Sequence, residues 1–288
     1  MDAYLMSAVD GIAYGLLLAI AAAGLTVSFG AGGVLNLAHG TLIALGGYVA
    51  AAISTGTWAS LAAAVALATV AGAAGGGVLA AATARLRGRR GHLDQALLTL
   101  GIALIGADLL TIAFGPDVLR PQLPTALDGT ATVAGHRYPV DRLAVLGIAV
   151  LIAAAGYVVL HHTRAGRLVW ATVDDRAMVA GIGVNPAVVD ATVLVAAGAL
   201  AGVAGALTTP ILGVGPGTAE TTLLLSLVIV VCGGLGSVPG AVIAAVGVGV
   251  VQTVGVIAVP ALAPYLLIAA MAVVLLARVS PLQGEVGS

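Results

Sequence analysis

Long hydrophobic runs, separated by short polar or glycine-rich stretches, cover almost the whole chain. A membrane-spanning helix needs about 20 apolar residues, and nine runs reach or approach that length. They are residues 11–29, 40–55, 60–84, 96–114, 143–160, 191–212, 222–235, 238–258 and 261–277. The pattern predicts an all-α fold: one polytopic transmembrane helix bundle of eight or nine spans over residues 1–288. The runs 40–55 and 222–235 are short, and we expect either one to be broken or re-entrant.

The scarcity of charge excludes several functional classes. The chain is 60% hydrophobic and 8% charged, against about 25% charged residues in an ordinary soluble domain. Its net charge of −1 and its lack of a long basic patch exclude nucleic-acid binding. All eleven basic residues are arginine, which excludes a Walker A loop because that loop needs a lysine. One cysteine and scattered histidines give no metal-ligand spacing, so we expect no metal, no cofactor and no enzyme active site.

Arginine placement predicts which loops face the cytoplasm. Two loops carry most of the arginines, namely Arg85, Arg87, Arg89 and Arg90 in the first and Arg164, Arg167 and Arg176 in the second. Two helices separate these loops, so both can be cytoplasmic, as the positive-inside rule prefers. The loop 115–142 between them is then external. Three crossings before Arg85 put the N-terminus outside, whereas a re-entrant early segment puts it inside.

Two uncharged glycine-rich clusters interrupt the hydrophobic sequence. They are residues 30–40, with the sequence GAGGVLNLAHG, and residues 233–240, with the sequence GGLGSVPG. Irregular backbone at membrane depth must be buried in protein or line a cavity. An offset of 200 residues aligns several of their positions and hints at an internal repeat, and interrupted segments in corresponding halves point to a transport pathway. The predicted pathway residues are Asn36, His39, Gly40, Gly233, Gly234, Gly236 and Ser237.

Other glycines fit helix packing better than a pathway. Gly11 and Gly15 stand four residues apart, and the same spacing recurs at residues 72 and 76 and at residues 198 and 202. Small residues at this spacing let two helix backbones approach closely in a membrane. We therefore assign these pairs to helix–helix contacts.

Few ionisable groups fall at membrane depth. Asp108 lies inside the fourth run, and an acid there is either functional or reaches water at the interface. His39 could cap a half-helix or relay protons. A proton-coupled secondary transporter that uses both residues therefore stays open.

The polar loop 161–190 contains a short amphipathic pattern. Trp170, Val173, Ala177 and Ala180 fall on one face of a single predicted helix. Gly181 and Gly183 can end that helix, and Asn185-Pro186 then turns the chain. The helix either lies on the inner leaflet or docks a soluble partner.

Four segments together carry a family resemblance. They are Gly33-Val-Leu-Asn-Leu-Ala-His-Gly40 with Gly46-Gly47-Tyr48; Arg85 with Leu98-Thr99-Leu100-Gly101-Ile102; Thr163-Arg-Ala-Gly-Arg167 with Ala177 and Gly181-Ile182; and Gly233-Gly-Leu-Gly-Ser-Val-Pro-Gly240. In this order they resemble the signatures of the permease subunit of branched-chain amino acid ABC transporters, the LivH type. Two positions depart from the family pattern: Thr41 stands where many relatives have Glu, and Trp170-Ala171 where many have Arg-Ala.

The resemblance implies an importer subunit embedded in the lipid of the cytoplasmic (inner) membrane. Its implied partners are a second, LivM-like permease subunit, two ATP-binding subunits and an extracytoplasmic substrate-binding protein. The implied substrates are branched-chain amino acids, and a urea or short-amide permease of the same family is the alternative. The loop that couples to the ATP-binding subunits would include Arg167, Trp170, Asp174, Asp175, Arg176, Ala177 and Gly181.

Overall fold

The computed structural model describes residues 2–30, 32–84, 86, 91–127, 129–133, 136–234, 236–260, 265–266, 269 and 271–272. Ten helices form in this part of the chain. They are α1 (Asp2–Gly30), α2 (His39–Ile53), α3 (Trp58–Ala84), α4 (Gly91–Phe114), α5 (Val140–His162), α6 (Arg164–Asp174), α7 (Arg176–Gly181), α8 (Pro186–Leu212), α9 (Thr218–Gly233) and α10 (Val238–Ala258). Because the backbone hydrogen bonds of a helix are satisfied internally, these apolar segments can lie in lipid.

Eight of the nine predicted runs coincide with helices. Six of these helices (α1, α3, α4, α5, α8 and α10) are long and apolar enough to cross a membrane. Helices α2 and α9 have only 15 and 16 residues. At 1.5 Å per residue, α2 is about 22 Å long, which is less than the roughly 30 Å hydrocarbon core. The ninth run, 261–277, lies largely outside the described residues.

Glycine pairs hold the bundle together, as the four-residue spacing predicts. A Cβ on Gly72 or Gly76 would overlap the backbone of α8, and a Cβ on Gly198 would overlap the backbone of α3. Gly11 and Gly15 face the backbone of α10 in the same way. No larger side chain fits at these contacts, so the two helix pairs pack backbone against backbone.

Helix α8 lies at the centre of the bundle. It packs against α3, α2 and α1, and its buried face is made of small residues such as Ala197, Ala201 and Ala204. Helices α4 and α5 lie at the periphery. Their outer surfaces carry exposed large apolar side chains, including Leu104 and Leu151. Such surfaces suit contact with lipid tails.

A small β-hairpin interrupts the otherwise helical fold, and the sequence pattern did not predict it. Strands β1 (Thr130–Val133) and β2 (His136–Pro139) pair antiparallel just before α5. Tyr138 of this hairpin donates a hydrogen bond to Asp10 of α1. The N-terminal end of α1 therefore lies at the same end of the bundle as the loop 115–142. The N-terminus was expected either on the same side as this loop, with three crossings before residue 85, or on the other side, with a re-entrant early segment. The contact favours the first alternative.

Candidate transport pathway and coupling site

The first glycine-rich segment turns the chain back into the bundle. After α1 ends at Gly30, the backbone N–H groups of Gly33 and Val34 donate to carbonyl oxygens of the last turn of α1, at 3.1 and 3.2 Å. Further along, the hydroxyl of Thr99 in α4 accepts from the N–H of Leu37 and donates to the carbonyl of Leu35, both at 3.1 Å. These bonds satisfy backbone groups that no helix satisfies, which permits extended chain at membrane depth.

Asn36 and His39 lie at the inner end of this segment, fully enclosed by protein. Asn36 Oδ1 accepts from the N–H of Ala38 at 3.1 Å, and so supports the start of α2. His39 Nε2 donates to the carbonyl oxygen of Ala21, in the middle of α1, at 2.7 Å. Only 1% of the surface of Asn36 and none of that of His39 is accessible to solvent. Even so, Asn36 Nδ2 and His39 Nδ1 have no hydrogen-bond partner within the described residues. Two buried, unsatisfied nitrogens at one chain break are unusual.

The following two residues fix α2 against its neighbours. A Cβ on Gly40 would overlap the carbonyl oxygen of Ala219 in α9, so only glycine fits there. The hydroxyl of Thr41 donates to the carbonyl oxygen of Ala103 in α4 at 3.1 Å. The start of α2 is thus held on two sides.

The second glycine-rich segment is a tight turn between α9 and α10. Gly234 and Gly236 have positive φ angles of 97° and 80°. The hydroxyl of Ser237, which is exposed, accepts from the N–H of Gly240 at 3.1 Å and caps α10. Gly233 and Gly240 pack so closely that neither can carry a side chain. This segment closes a helical hairpin rather than crossing the bundle.

The two glycine-rich segments meet. Gly30 lies against Gly236 so closely that a Cβ on Gly30 would overlap the other residue's Cα. Moreover, α1 packs against α10, and α9 packs against α2. Helices α1 and α2 flank the first segment, and helices α9 and α10 flank the second. The first helix of each pair packs against the second helix of the other pair, as expected for two repeats related by a two-fold axis, which is consistent with an internal repeat.

A groove along α1, α5, α8 and α10 contains two large cavities. The first has a volume of about 470 Å³ and lies beside the hairpin and the N-terminal part of α1. The second, of about 380 Å³, lies further along the same helices and is lined almost entirely by apolar residues. Beyond it, a small cavity is bordered by Gly30, Trp170 and Gly236. The groove therefore brings one predicted pathway residue and one predicted coupling residue together, whereas Asn36 and His39 are enclosed within the bundle.

The predicted single helix in the loop 161–190 is two helices. Asp175 adopts extended backbone (φ −149°, ψ 99°) and separates α6 from α7. Its carboxylate accepts from the N–H groups of Ala177 and Met178 at 2.8 and 2.9 Å, which starts a new helix. This corrects the prediction that Trp170, Val173, Ala177 and Ala180 share one helical face. Instead Thr172 and Val179 are buried, while Val173, Ala177 and Ala180 are exposed.

The end of this loop agrees with its sequence. Helix α7 ends at Gly181, and Gly183 has a positive φ of 86°. Asn185 then accepts from the N–H of Ala187 at 3.0 Å, and Pro186 occupies the first turn of α8. Both the glycine stop and the Asn-Pro turn are confirmed.

Helix α6 is fixed to the end of α5. A Cβ on Gly166 would overlap the carbonyl oxygen of Leu160, so α6 folds back directly on α5. Trp170 lies near His161, with ring centroids 6.4 Å apart. The predicted coupling residues Arg167, Asp174 and Gly181 are exposed on this surface.

Arg176 forms an ion pair that the sequence did not indicate. Its guanidinium donates to the carboxylate of Asp190 in the first turns of α8. Asp190 is nearly buried, with 3% of its side chain exposed, whereas Arg176 is 52% exposed. Asp190 is the only acid in the apolar sequence of α8, and that isolation was the available signal. Arg176 thus joins the α6–α7 surface to the central helix.

Asp10, Tyr138 and Arg142 form a second polar cluster that sequence analysis missed. Asp10 Oδ1 accepts from the Tyr138 hydroxyl and from Arg142 Nη1, both at 2.8 Å. Burial, together with the bond to Asp10, raises the pKa of the Tyr138 hydroxyl to about 12. Tyr138 therefore remains a neutral donor over the physiological pH range.

Asp108 is not part of either cluster. It is exposed on α4, whereas His39 is fully enclosed.

Comparison with known proteins gives consistent matches. The sequence profile of the family described as "Branched-chain amino acid transport system / permease component" matches residues 7–277. BraD of Pseudomonas aeruginosa, a high-affinity branched-chain amino acid transport system permease protein, is 26% identical over 267 residues, covering 88% of this chain and 86% of its own length. LivH of Escherichia coli (strain K12), with the same description, is 27% identical over 266 residues, covering 86% and 85%. LivH of Salmonella typhimurium is 26% identical over 261 residues, with the same coverage. No solved structure matches the chain.

Proposed function

This chain belongs to the family of branched-chain amino acid transport system permease components, and we propose that it is the transmembrane subunit of an ATP-driven importer of branched-chain amino acids. It is a multi-pass protein of the inner membrane. The observation that carries the proposal is the family match over residues 7–277, which takes in most of α1 and all of α2 to α10, including the α6–α7 surface.

The proposed orientation places residues 85–90 and 161–190 in the cytoplasm and residues 115–142 outside. Helices α2 and α9 then complete eight spans, with the extended segment before α2 continuing across the inner half of the membrane. The bond from His39 to the middle of α1 supports this path, because the chain climbs from Gly30 to that depth before α2 begins. A helix over residues 261–277 would give nine spans.

The proposed partners follow from the family resemblance. The sequence has no lysine and therefore no Walker A loop, so we propose that ATP is hydrolysed by two separate ATP-binding subunits. We propose that these subunits contact the exposed residues of α6 and α7, including Arg167, Asp174 and Ala177. A second, LivM-like permease would complete the membrane part, and an extracytoplasmic protein would deliver the substrate.

The binding protein is proposed to dock on the external segments 115–142 and 213–221. These two segments are joined, since Leu119 and Val214 exchange backbone hydrogen bonds of 2.8 and 2.9 Å. A joined surface of this kind can receive a partner as one unit.

Motion of the α6–α7 surface would act on the inner end of the groove. Trp170, Gly30 and Gly236 border the same small cavity, so a displacement of α6 changes the contact between the two glycine-rich segments. We propose that these segments deform during transport. The remaining predicted pathway residues, Asn36, His39, Gly40, Gly233, Gly234 and Ser237, would reach or reshape the pathway through that movement.

Reconstitution tests the function directly. The chain is co-expressed with a second permease of the same family, ATP-binding subunits and a binding protein as candidate partners, and uptake of radiolabelled leucine into proteoliposomes is measured. We expect uptake that depends on ATP and on the binding protein and that persists when a protonophore removes the proton gradient. Uptake of urea instead of leucine would point to the alternative substrate, and uptake abolished by Asp108→Asn would indicate proton coupling.

The coupling surface is tested with three separate charge changes. Asp174→Arg alters only an exposed side chain, so it should lower leucine transported per ATP hydrolysed by several-fold without changing stability. Asp175→Asn keeps a helix-capping side chain for α7 but removes one exposed charge of the same surface, so it should lower the ratio less than Asp174→Arg does. Arg176→Glu also breaks the ion pair with Asp190 and should both uncouple transport and destabilise the protein. An unchanged ratio for Asp174→Arg would remove that residue from the proposed surface.

A further inference from the structure

The 470 Å³ cavity combines opposite charges with an apolar wall. Asp10, Tyr138 and Arg142 lie on its lining, and Ser7 and Gln252 add further polar groups. The rest of the lining is aliphatic, contributed by side chains that include Leu17, Ile211, Val256 and Ile257. Small-molecule sites have this composition: a largely apolar cavity of about 300–1,000 Å³ with a few placed polar groups.

The two charges remain accessible although they pair with each other. Their ion pair leaves 33% of the Asp10 side chain and 38% of the Arg142 side chain exposed. Arg142 bonds Asp10 through Nη1, and a guanidinium carries five N–H donors in a planar fork. A carboxylate ligand can therefore bind Arg142 while an ammonium group approaches Asp10. Ionisable residues within membrane-spanning helices are rare, and they mark functional sites such as substrate pathways and proton relays.

We propose that this cavity is an outer binding site for a zwitterionic amino acid with an aliphatic side chain. Arg142 binds the α-carboxylate, Asp10 accepts from the α-ammonium group, and the aliphatic wall formed by α8 and α10 contacts the side chain. Tyr138 acts as a positioning residue, because its hydroxyl donates to the same oxygen of Asp10 as Arg142 does and so fixes the orientation of that carboxylate. The inference rests on the proposed function and names the first substrate contact within this chain.

The position of the cavity supports this role. It lies at the end of the bundle that carries the hairpin, where a binding protein would release its substrate. The apolar 380 Å³ cavity is a separate space further along α1, α5, α8 and α10. If transport opens a passage between the two cavities, a substrate that leaves the charged site would enter a space that suits its aliphatic side chain and offers no partner for its charges, which would limit its residence there.

Photo-leucine, a leucine analogue with a diazirine in its side chain, tests the site. The reconstituted complex of permeases and ATP-binding subunits, without the binding protein, is irradiated with photo-leucine, and the labelled residues are mapped by mass spectrometry. We expect insertion at residues 211–212 and 252–257. Leucine should compete, whereas 3-methylbutylamine and 4-methylpentanoate, which lack the carboxylate and the amine respectively, should compete at least about tenfold less well.

Variants separate the ligand role from a structural one. Asp10→Asn and Arg142→Gln should each reduce labelling at least about tenfold, because each removes one charge-assisted hydrogen bond. Ala13→Phe keeps both charges but fills the cavity that Ala13 lines, and it should reduce labelling equally. Asp108→Asn, an acid on α4 outside the cavity, is the matched control and should label like the wild type.

The outcomes distinguish this inference from the proposed function. If the wild-type complex transports leucine once the binding protein and ATP are added but is labelled elsewhere, or all three compounds compete equally, the outer site is wrong and the function stands. If the complex does not transport leucine even with the binding protein and ATP present, the proposed function fails. Labelling at the mapped residues that Ala13→Phe leaves unchanged also overturns the site.

Discussion

The two glycine-rich segments share a composition but have different structures. Residues 30–40 include chain that extends into the bundle interior and buries Asn36 and His39. Residues 233–240 form a compact turn whose capping residue, Ser237, is exposed. In the first segment the polar groups must find partners in protein, whereas in the second they can reach water. Glycine content alone marks an interruption, and its surroundings decide whether that interruption is a crossing segment or a turn.

Aligned positions in the helices that follow the two segments sharpen this difference. Gly47 and Gly247 match at the offset of 200 residues. A Cβ on Gly47 would meet Thr209 and Val214, whereas a Cβ on Gly247 would meet nothing within 4 Å. Four variants test the comparison, and they are ordered from the largest expected loss of stability to the smallest.

Gly40→Val should cause the largest loss. Its Cβ would overlap the carbonyl oxygen of Ala219 in α9, and a backbone atom cannot move aside. We expect the free energy of unfolding to fall by about 3 kcal/mol or more, measured as thermal unfolding of the purified protein in detergent. Gly247→Val, on the exposed side of α10, is the control and should stay within about 1 kcal/mol of the wild type. Equal melting temperatures for the two variants would contradict the close contact of α2 with α9.

Asn36→Ala should come next. It removes the acceptor of the Ala38 N–H in a fully buried setting, and an unsatisfied buried donor costs about 2 kcal/mol. Asn36→Ser keeps a neutral oxygen that can accept from the N–H two residues on, and is the matched variant. If Asn36→Ala melts like the wild type while transport falls, the buried amide serves the pathway and not the fold.

Gly236→Ala tests the point where the segments meet. A non-glycine residue at its φ of 80° costs about 1–2 kcal/mol. Gly217 has a φ of 84° with no neighbour near its Cβ position, so Gly217→Ala carries the same strain alone. We expect Gly236→Ala to melt slightly lower than Gly217→Ala, because its Cβ would lie 3.3 Å from the Cα of Gly30. The reverse order would argue against contact between the segments.

Ser237→Ala should have the smallest effect. It removes a helix cap worth about 1 kcal/mol, but the N–H of Gly240 at this exposed turn can bind water instead. Ser237→Thr keeps the capping hydroxyl and should restore the melting temperature. A loss as large as that of Asn36→Ala would mean that both segments are equally buried.

Local features of the fold could be predicted from sequence. Hydrophobic runs located eight helices, and four-residue glycine spacing identified packing faces on α1, α3 and α8, because both depend on residues close together in the chain. The spacing did not show which helices those faces would meet. The division of α6 from α7 was also local. Asp175 followed by Arg-Ala-Met is a helix-cap signal, but the apolar periodicity across it suggested one continuous helix.

The candidate site depended on distant contacts. Asp190 meets Arg176, and Asp10 meets Arg142, through packing that no spacing rule describes. The groove itself arises from how α1, α5 and α10 lie beside α8, so its cavities have no sequence signature. Each isolated acid in an apolar helix was visible, but its partner was not.

The segment between α4 and α5 crosses the end of the bundle opposite α6 and α7, and it fixes several helices to one another. Its Leu119 bonds to Val214 before α9, its Gln122 accepts from the Ser54 hydroxyl after α2 at 2.6 Å, and the hairpin that follows holds α1 through Asp10. Helices tied at one end can separate only at the other. A displacement generated at α6–α7 would therefore be largest at that end of the bundle and would diminish towards the tied end, so spin-label distances should change several ångströms near α6–α7 and hardly at all near Leu119 and Gln122.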